Sequence, residues 1–155
     1  MAAAGRALKP HAVLFACGLN AIRSPMAAAL FRHFFGRSAY VGSAGVRKGE
    51  LDPFAVAVMD EIGLDIHKHR PMTIEELEEW EGLNFDLIVT LSPEAHHAAL
   101  ELTRTLPVEV EYWPTPDPSG FGGSREQQLN AYRQVRDQLM DRIKTRFDWH
   151  PGTNE

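Results

Sequence analysis

The sequence contains a single cysteine, Cys17, among 155 residues. That scarcity excludes an intrachain disulfide and any cysteine-rich metal site. No apolar run approaches the roughly 20 residues needed to span a bilayer, so no membrane partner is expected. Lysines and arginines form no dense run, and the net charge is −5, which argues against a nucleic-acid groove. The N-terminal MAAAGRALKPH lacks an apolar stretch of signal-peptide length, and a cytoplasmic location is the natural expectation. No internal repeat, low-complexity tract or linker divides the chain. Its length suits one domain over 1–155, with loose termini at 1–10 and 149–155.

What is present has the profile of an ordinary globular protein, with 44% hydrophobic and 24% charged residues. Val13 to Ala16 reads as a short buried strand. Ser24-Pro25 then opens a helix that stops near Gly36, with Ser as N-cap and Pro at the first helical position. Ser38 to Val41 reads as a second strand, ending in Gly42-Ser43-Ala44-Gly45. Asp52-Pro53 begins a helix that runs to Gly63, and Thr73-Ile74-Glu75-Glu76 has capping-box spacing for a short acidic helix. Asp86 to Leu91 is a third strand, followed by a helix from Ser92-Pro93 to about Thr105. Val108 to Trp113 is the fourth strand. A Pro/Gly-rich loop, PTPDPSGFGG, precedes a final helix from about Ser124 to Phe147. Strands alternating with helices predict a three-layer α/β/α domain around a four-stranded parallel sheet. Ligands in such folds sit beyond the carboxyl ends of the strands. Cys17, Ser43 and the loop around Asp117 would meet there.

The stretch CGLNAIRSP, following the first strand, is the most informative. A lone cysteine at a strand end is often core filler, and C-x5-R alone is a weak pattern. Here, however, a loop between strand and helix offers successive backbone N–H groups and then a helix N-terminus. Together these make an anion cradle over Gly18, Leu19, Asn20, Ala21, Ile22, Arg23 and Ser24. Gly18 and Asn20 tolerate the unusual φ values such a loop demands. Arg23 can grip two phosphate oxygens in a planar, bidentate fashion. Helix N-termini and nearby arginine favour the thiolate of a cysteine, which could attack phosphorus. Ser24 can donate its hydroxyl proton to the sulfur.

These residues resemble the low-molecular-weight protein tyrosine phosphatase family, to which thioredoxin-type arsenate reductases are related. The resemblance runs through VLFACGLNAIRSPMAAAL, SAG at 43–45, HKHR at 67–70, FDLIV at 85–89 and Asp117-Pro118. It implies a phosphomonoester hydrolase working through a phosphocysteine on Cys17, with Arg23 binding the phosphoryl group. Asp117 would be general acid and then general base, Asn20 would shape the loop by bonding to Ser43, and Ser24 would tune the thiolate. His67 or His69 would support the loop, His67 being the first choice. No cofactor is implied. The implied partners are a phosphotyrosine protein or small aryl phosphate, with inorganic phosphate or another oxyanion in the loop, and the chain would be a monomer or weak dimer. A metal site at His67-x-His69 or His96-His97 lacks partners in register.

Three departures from the family matter. The loop reads Cys-Gly-Leu-Asn-Ala-Ile-Arg where Cys-x-Gly-Asn-x-Cys-Arg is common, so no neighbouring thiol can trap an oxidised Cys17. Ser119-Gly120, with Phe121 next, follows Asp117-Pro118 where tyrosines often stand. Val46-Arg47-Lys48-Gly49 follows SAG where an aromatic wall residue is often found. A wider and more basic mouth is the expectation, which would also admit an acidic or non-tyrosine substrate. Three rivals stay open. An arsenate reductase would need an external small thiol. A phosphoryl carrier is disfavoured by Arg23 and Asp117. A phosphoprotein-binding module would bind without turnover.

Overall fold

Strand β1 (Ala12–Cys17) shows why this chain builds layers on both faces of a sheet. In the computed structural model, which describes residues 10–151, its alternate side chains enter two separate cores. Val13, Phe15 and Cys17 point to one side, Leu14 and Ala16 to the other, and all five are buried. A strand apolar on both faces has to be covered twice. The remaining strands are β2 (Tyr40–Gly45), β3 (Leu87–Thr90) and β4 (Glu109–Tyr112), and all pairings are parallel in the order β2-β1-β3-β4. The expected α/β/α sandwich is therefore the observed one.

The first core is closed by α1 (Arg23–Phe35), α2 (Pro53–Asp60) and α5 (Arg125–Arg146), the second by α3 (Ile74–Glu81) and α4 (Pro93–Leu102). Phe31 anchors the first core, with ring centroids 5.9 Å from Phe15, 5.2 Å from Phe35 and 5.0 Å from Phe147. Truncating a ring so enclosed to alanine costs about 3–5 kcal/mol. Arg136 of α5 is buried but satisfied, donating to the Val58 carbonyl and to Glu61. Capping boxes at Thr73–Glu76 and Ser124–Gln127 and the Asp52 cap start α3, α5 and α2 as their sequences predict.

Several boundaries differ from the sequence reading. β2 begins later, at Tyr40, and runs through Gly42-Ser43-Ala44-Gly45, because that stretch pairs residue for residue with β1 up to Cys17. Helices α2 and α4 stop at Asp60 and Leu102, and turns carry the chain onward. Ser24 is not the N-cap of α1. The helix starts at Arg23 and no side chain caps it, because the Ser24 hydroxyl is engaged with Cys17 and Asn20. The loose ends expected at 1–10 and 149–155 lie largely outside the described residues. Trp149 is not loose: its ring lies 5.2 Å from that of Phe34, with the Lys144 ammonium 5.0 Å away.

The topology decides where a site can form. β1 has β2 on one side and β3 on the other. The chain therefore leaves its neighbouring strands toward opposite sides of the sheet, which opens a crevice at the carboxyl end of β1. Cys17 is the last residue of β1.

Candidate active site

Residues 17–24 form a loop whose carbonyls are turned outward. The carbonyls of Cys17, Gly18, Leu19 and Ala21 accept from the amides of Val46, Arg47, Gly49 and Asp52 at 2.9–3.2 Å. The Asn20 carbonyl faces His69 Nε2 at 3.3 Å. The C=O and N–H of a trans peptide point in opposite directions, and no described peptide is cis. The amides of Gly18, Leu19, Asn20, Ala21 and Ile22 are thereby turned to the inner side of the loop. That is the geometry of an anion nest, with the N-terminus of α1 behind it.

Asn20 holds the loop from within. It is fully buried and takes the left-handed conformation, φ 56°, which asparagine tolerates better than most residues. Its Nδ2 donates to Ser24 Oγ at 2.8 Å and to Ser43 Oγ at 3.1 Å. Its Oδ1 accepts from the Met72 amide at 2.9 Å and lies 3.0 Å from His69 Nε2. The Ser43 contact is the one the sequence suggests. Both oxygens facing His69 Nε2 are acceptors, so that nitrogen carries the proton. Burial holds the His69 pKa below the usual histidine range.

His67, the first choice as supporting histidine, sits elsewhere. It is exposed on Asp65, with Nδ1 2.6 Å from Oδ1. The H-x-H spacing offered two candidates, and only the fold shows which one turns inward. Gly18 does not need a positive φ; instead, a Cβ there would come within 3.0 Å of Glu94 Oε1. Gly45 is required by close approach. A Cβ on it would meet backbone atoms of Arg47, Leu19 and Asn20 at 2.5–2.9 Å.

Cys17 Sγ lies 3.0 Å from Ser24 Oγ, deep in the loop. Arg23 is mostly covered, and its Nη1 donates to the Thr115 carbonyl at 3.0 Å. Its Nη2 is 3.9 Å from Asp117 Oδ2, a loose ion pair. Asp117 Oδ1 accepts from both the amide and the hydroxyl of Ser119, at 2.9 and 2.7 Å. Partial burial pushes the Asp117 pKa up, but those two hydrogen bonds and the Arg23 charge outweigh it and leave it lowered. Cys17, Arg23, Asp117 and Ser119 line one small cavity of about 50 Å³ together with Leu19, Ala21 and Ile22. The sequence brings the first three to one sheet edge; the anchor at Thr115 and the partner at Ser119 carry no motif of their own.

The entrance differs from the basic mouth expected from Arg47 and Lys48. Arg47 grips Glu94 with two bonds, at 3.0 and 3.1 Å, and Lys48 donates to Glu76 at 2.8 Å. Both cations are thus matched by carboxylates. Leu19 is a well-exposed apolar group in the cavity lining. Among the described residues no group of three or more His, Cys, Asp or Glu could hold a metal ion. His96 instead stacks on Tyr112 and bonds to Thr90. No described helix is long and apolar enough to cross a membrane.

The model of the family "Low molecular weight phosphotyrosine protein phosphatase" matches residues 12–148. The chain belongs to this family. Among curated family relatives is an arsenate reductase of Halalkalibacterium halodurans, 35% identical over 136 residues, covering 86% of this chain and 92% of the relative. Among solved structures, an arsenate reductase in the phosphate binding state has a TM-score of 0.67 at 26% identity, covering 88% of this chain and 96% of that one. The YwlE arginine phosphatase, as a Cys-to-Ser mutant with a phosphorylated active site serine, has a TM-score of 0.70 at 27% identity and coverage of 88% and 93%. The family thus includes both phosphatases and arsenate reductases on one cysteine-dependent scaffold.

Proposed function

We propose that this protein is a phosphomonoester hydrolase of the low-molecular-weight tyrosine phosphatase type. The observation that carries the reading is convergence: Cys17 Sγ, the Arg23 guanidinium and the Asp117 carboxylate line one cavity, at whose floor the loop amides face inward. A phosphoryl group bound there would draw Arg23 from the Thr115 carbonyl onto two of its oxygens. The Cys17 thiolate attacks phosphorus, and the S–P bond forms as the P–O bond to the leaving group breaks. Asp117 gives its proton to the departing oxygen. In the second step Asp117 takes a proton from water, the water oxygen bonds to phosphorus, and the S–P bond breaks. Ser24 Oγ, 3.0 Å from the sulfur, steadies the thiolate as nucleophile and again as leaving group.

Two features of relatives support the chemistry without deciding the substrate. One binds phosphate, and another carries a phosphorylated active-site serine. Arsenate reduction is the second reading, favoured by the name of the curated relative. Conversion of arsenate to arsenite takes two electrons, and Cys17 is the only thiol in the sequence. A small external thiol would have to supply the other sulfur. Phosphotyrosine and phosphoarginine are the two phosphorylated side chains to compare.

The test is hydrolysis of p-nitrophenyl phosphate in EDTA at mildly acidic pH, for wild type and Cys17→Ser. Loop amides and Arg23 supply the charge neutralisation, so turnover is expected to survive EDTA and to vanish in the mutant. A well-folded wild type that leaves aryl phosphate and phosphoarginine untouched, yet forms arsenite with added thiol, overturns the phosphatase reading in favour of the reductase.

A further inference from the structure

Behind the Asp117 loop lies a second, far larger cavity. This cleft of about 520 Å³ runs between residues 116–121 and one face of α5. It falls in the size range of ligand sites, and Asp117 lines both it and the small cavity at Cys17. The two are therefore neighbouring compartments with a shared wall. Phosphoryl chemistry fills only the smaller one.

The larger lining is poor in charge for a chain in which 24% of residues are charged. Asp117 is its only ionisable residue. Four side-chain amides face it from α5: Gln127, Asn130, Gln134 and Gln138. Their spacings of three, four and four residues place them on one helical stripe. All four are solvent-exposed, so none is held there by the core. Gln127 closes the capping box with Ser124. The other three make no side-chain hydrogen bond to another described residue. Phe121 adds an exposed ring at the rim.

Apart from the Asp117 carboxylate on the shared wall, the cleft carries no charge, and its amides discriminate by their chemistry. It offers no cation for a second phosphate, a nucleic acid or an anionic headgroup. Each amide offers donors and an acceptor, the complement of peptide main chain. The stripe from Gln127 to Gln138 spans about 16 Å along the helix, which matches roughly five residues of extended peptide. Resting on the phosphatase reading above, we propose that this cleft binds the extended main chain flanking the phosphorylated residue of a protein substrate. The Asn130, Gln134 and Gln138 amides would bond to its peptide groups, and Phe121 would pack on it at the rim. The enzyme would thereby take phosphorylated segments in preference to free phosphorylated amino acids, with little dependence on flanking sequence.

The test measures binding, so that it does not depend on turnover. Cys17→Ser protein is titrated with free phosphotyrosine and with two phosphotyrosine peptides of about ten residues and unrelated flanking sequence. The titration is repeated in Cys17→Ser/Asn130→Ala/Gln134→Ala. Both added changes replace exposed helical residues by the best helix former, so folding is not at risk. The expected result is that both peptides bind more tightly than phosphotyrosine, and that losing two hydrogen bonds shrinks this preference about tenfold. Equal affinity for peptide and free phosphotyrosine, or a preference unmoved by the substitutions, overturns the cleft assignment. A response confined to one peptide overturns main-chain recognition. Wild-type hydrolysis of p-nitrophenyl phosphate separately decides the phosphatase reading, so the two failures are distinguishable.

Discussion

The two loops that meet at the small cavity are built on opposite principles. Residues 17–24 are almost wholly buried apart from Leu19, and five successive carbonyls face partners from segments 46–52 and 69. Residues 114–124 are mostly exposed, and their central carboxylate is held by Ser119 and a loose ion pair. An oxyanion nest works only if its dipoles are fixed before the ligand arrives. A proton donor that must serve a leaving group and then a water benefits from a looser mount. The contrast separates substitutions that collapse the site from those that retune it.

The largest effect is expected where the rigid loop is pinned. Asn20→Ala removes the partners of the Met72 amide, His69, Ser24 and Ser43 at once. Unfolding stability should fall by on the order of 3 kcal/mol, and aryl phosphate turnover should fall at least a hundredfold with it. Denaturant melts and steady-state rates on the same preparation check both. A protein of unchanged stability would mean that the loop is held by its backbone contacts alone.

Asp117→Asn should leave stability nearly intact while lowering kcat about a hundredfold. The loss in kcat/KM, which reports formation of the phosphocysteine, should deepen as the leaving group becomes more basic, because such oxygens need the proton most. Equal loss across a series of aryl phosphates would contradict the general-acid role.

Ser119→Ala is a retuning. The Ser119 hydroxyl stabilises the Asp117 carboxylate, so removing it should raise the pKa of the acid. The acid acts when protonated, so the descending limb of the pH profile of kcat/KM should move to higher pH. Using one substrate for both proteins cancels the ionisation of the substrate itself.

The smallest effect is expected at His69, whose pKa is lowered in the fold by burial. The unfolded chain therefore binds the proton more readily. The stability His69 contributes is complete above about 6.5, its unfolded value, and is lost as pH falls through the lowered folded value. His69→Gln, which can still donate to Asn20, should flatten that acid-side decline by about 0.5 kcal/mol, the low end of one net hydrogen bond. Unfolding curves at several pH values would show it.

The rigid loop was the more legible of the two in the sequence. Its requirements are stereochemical and fall on few residue types: a left-handed position at Asn20, a thiol at a strand end and an arginine entering a helix. Ser24 was legible only in part. Its type and place suit a helix cap, yet its hydroxyl is drawn to the sulfur, which no local propensity foretells. The aspartate of the exposed loop announced itself only through Asp117-Pro118, an ordinary turn signal. Thr115 enters through a backbone carbonyl, which leaves no trace in residue identity. Charge pairing at the mouth was hidden as well, because Arg47 and Glu94 are 47 positions apart. The four-stranded parallel sheet followed from the alternation of strands and helices, whereas its strand order and the cleft against α5 depend on how the elements pack.

The central claim is a covalent phosphoryl group on Cys17. The most direct measurement is rapid acid quenching of Asp117→Ala protein during turnover of p-nitrophenyl phosphate, followed by intact mass and peptide mapping. Without its base the second step slows, and the account predicts one added phosphoryl group on the peptide containing Cys17. A burst of p-nitrophenol with no such adduct, or an adduct on another residue, would contradict it.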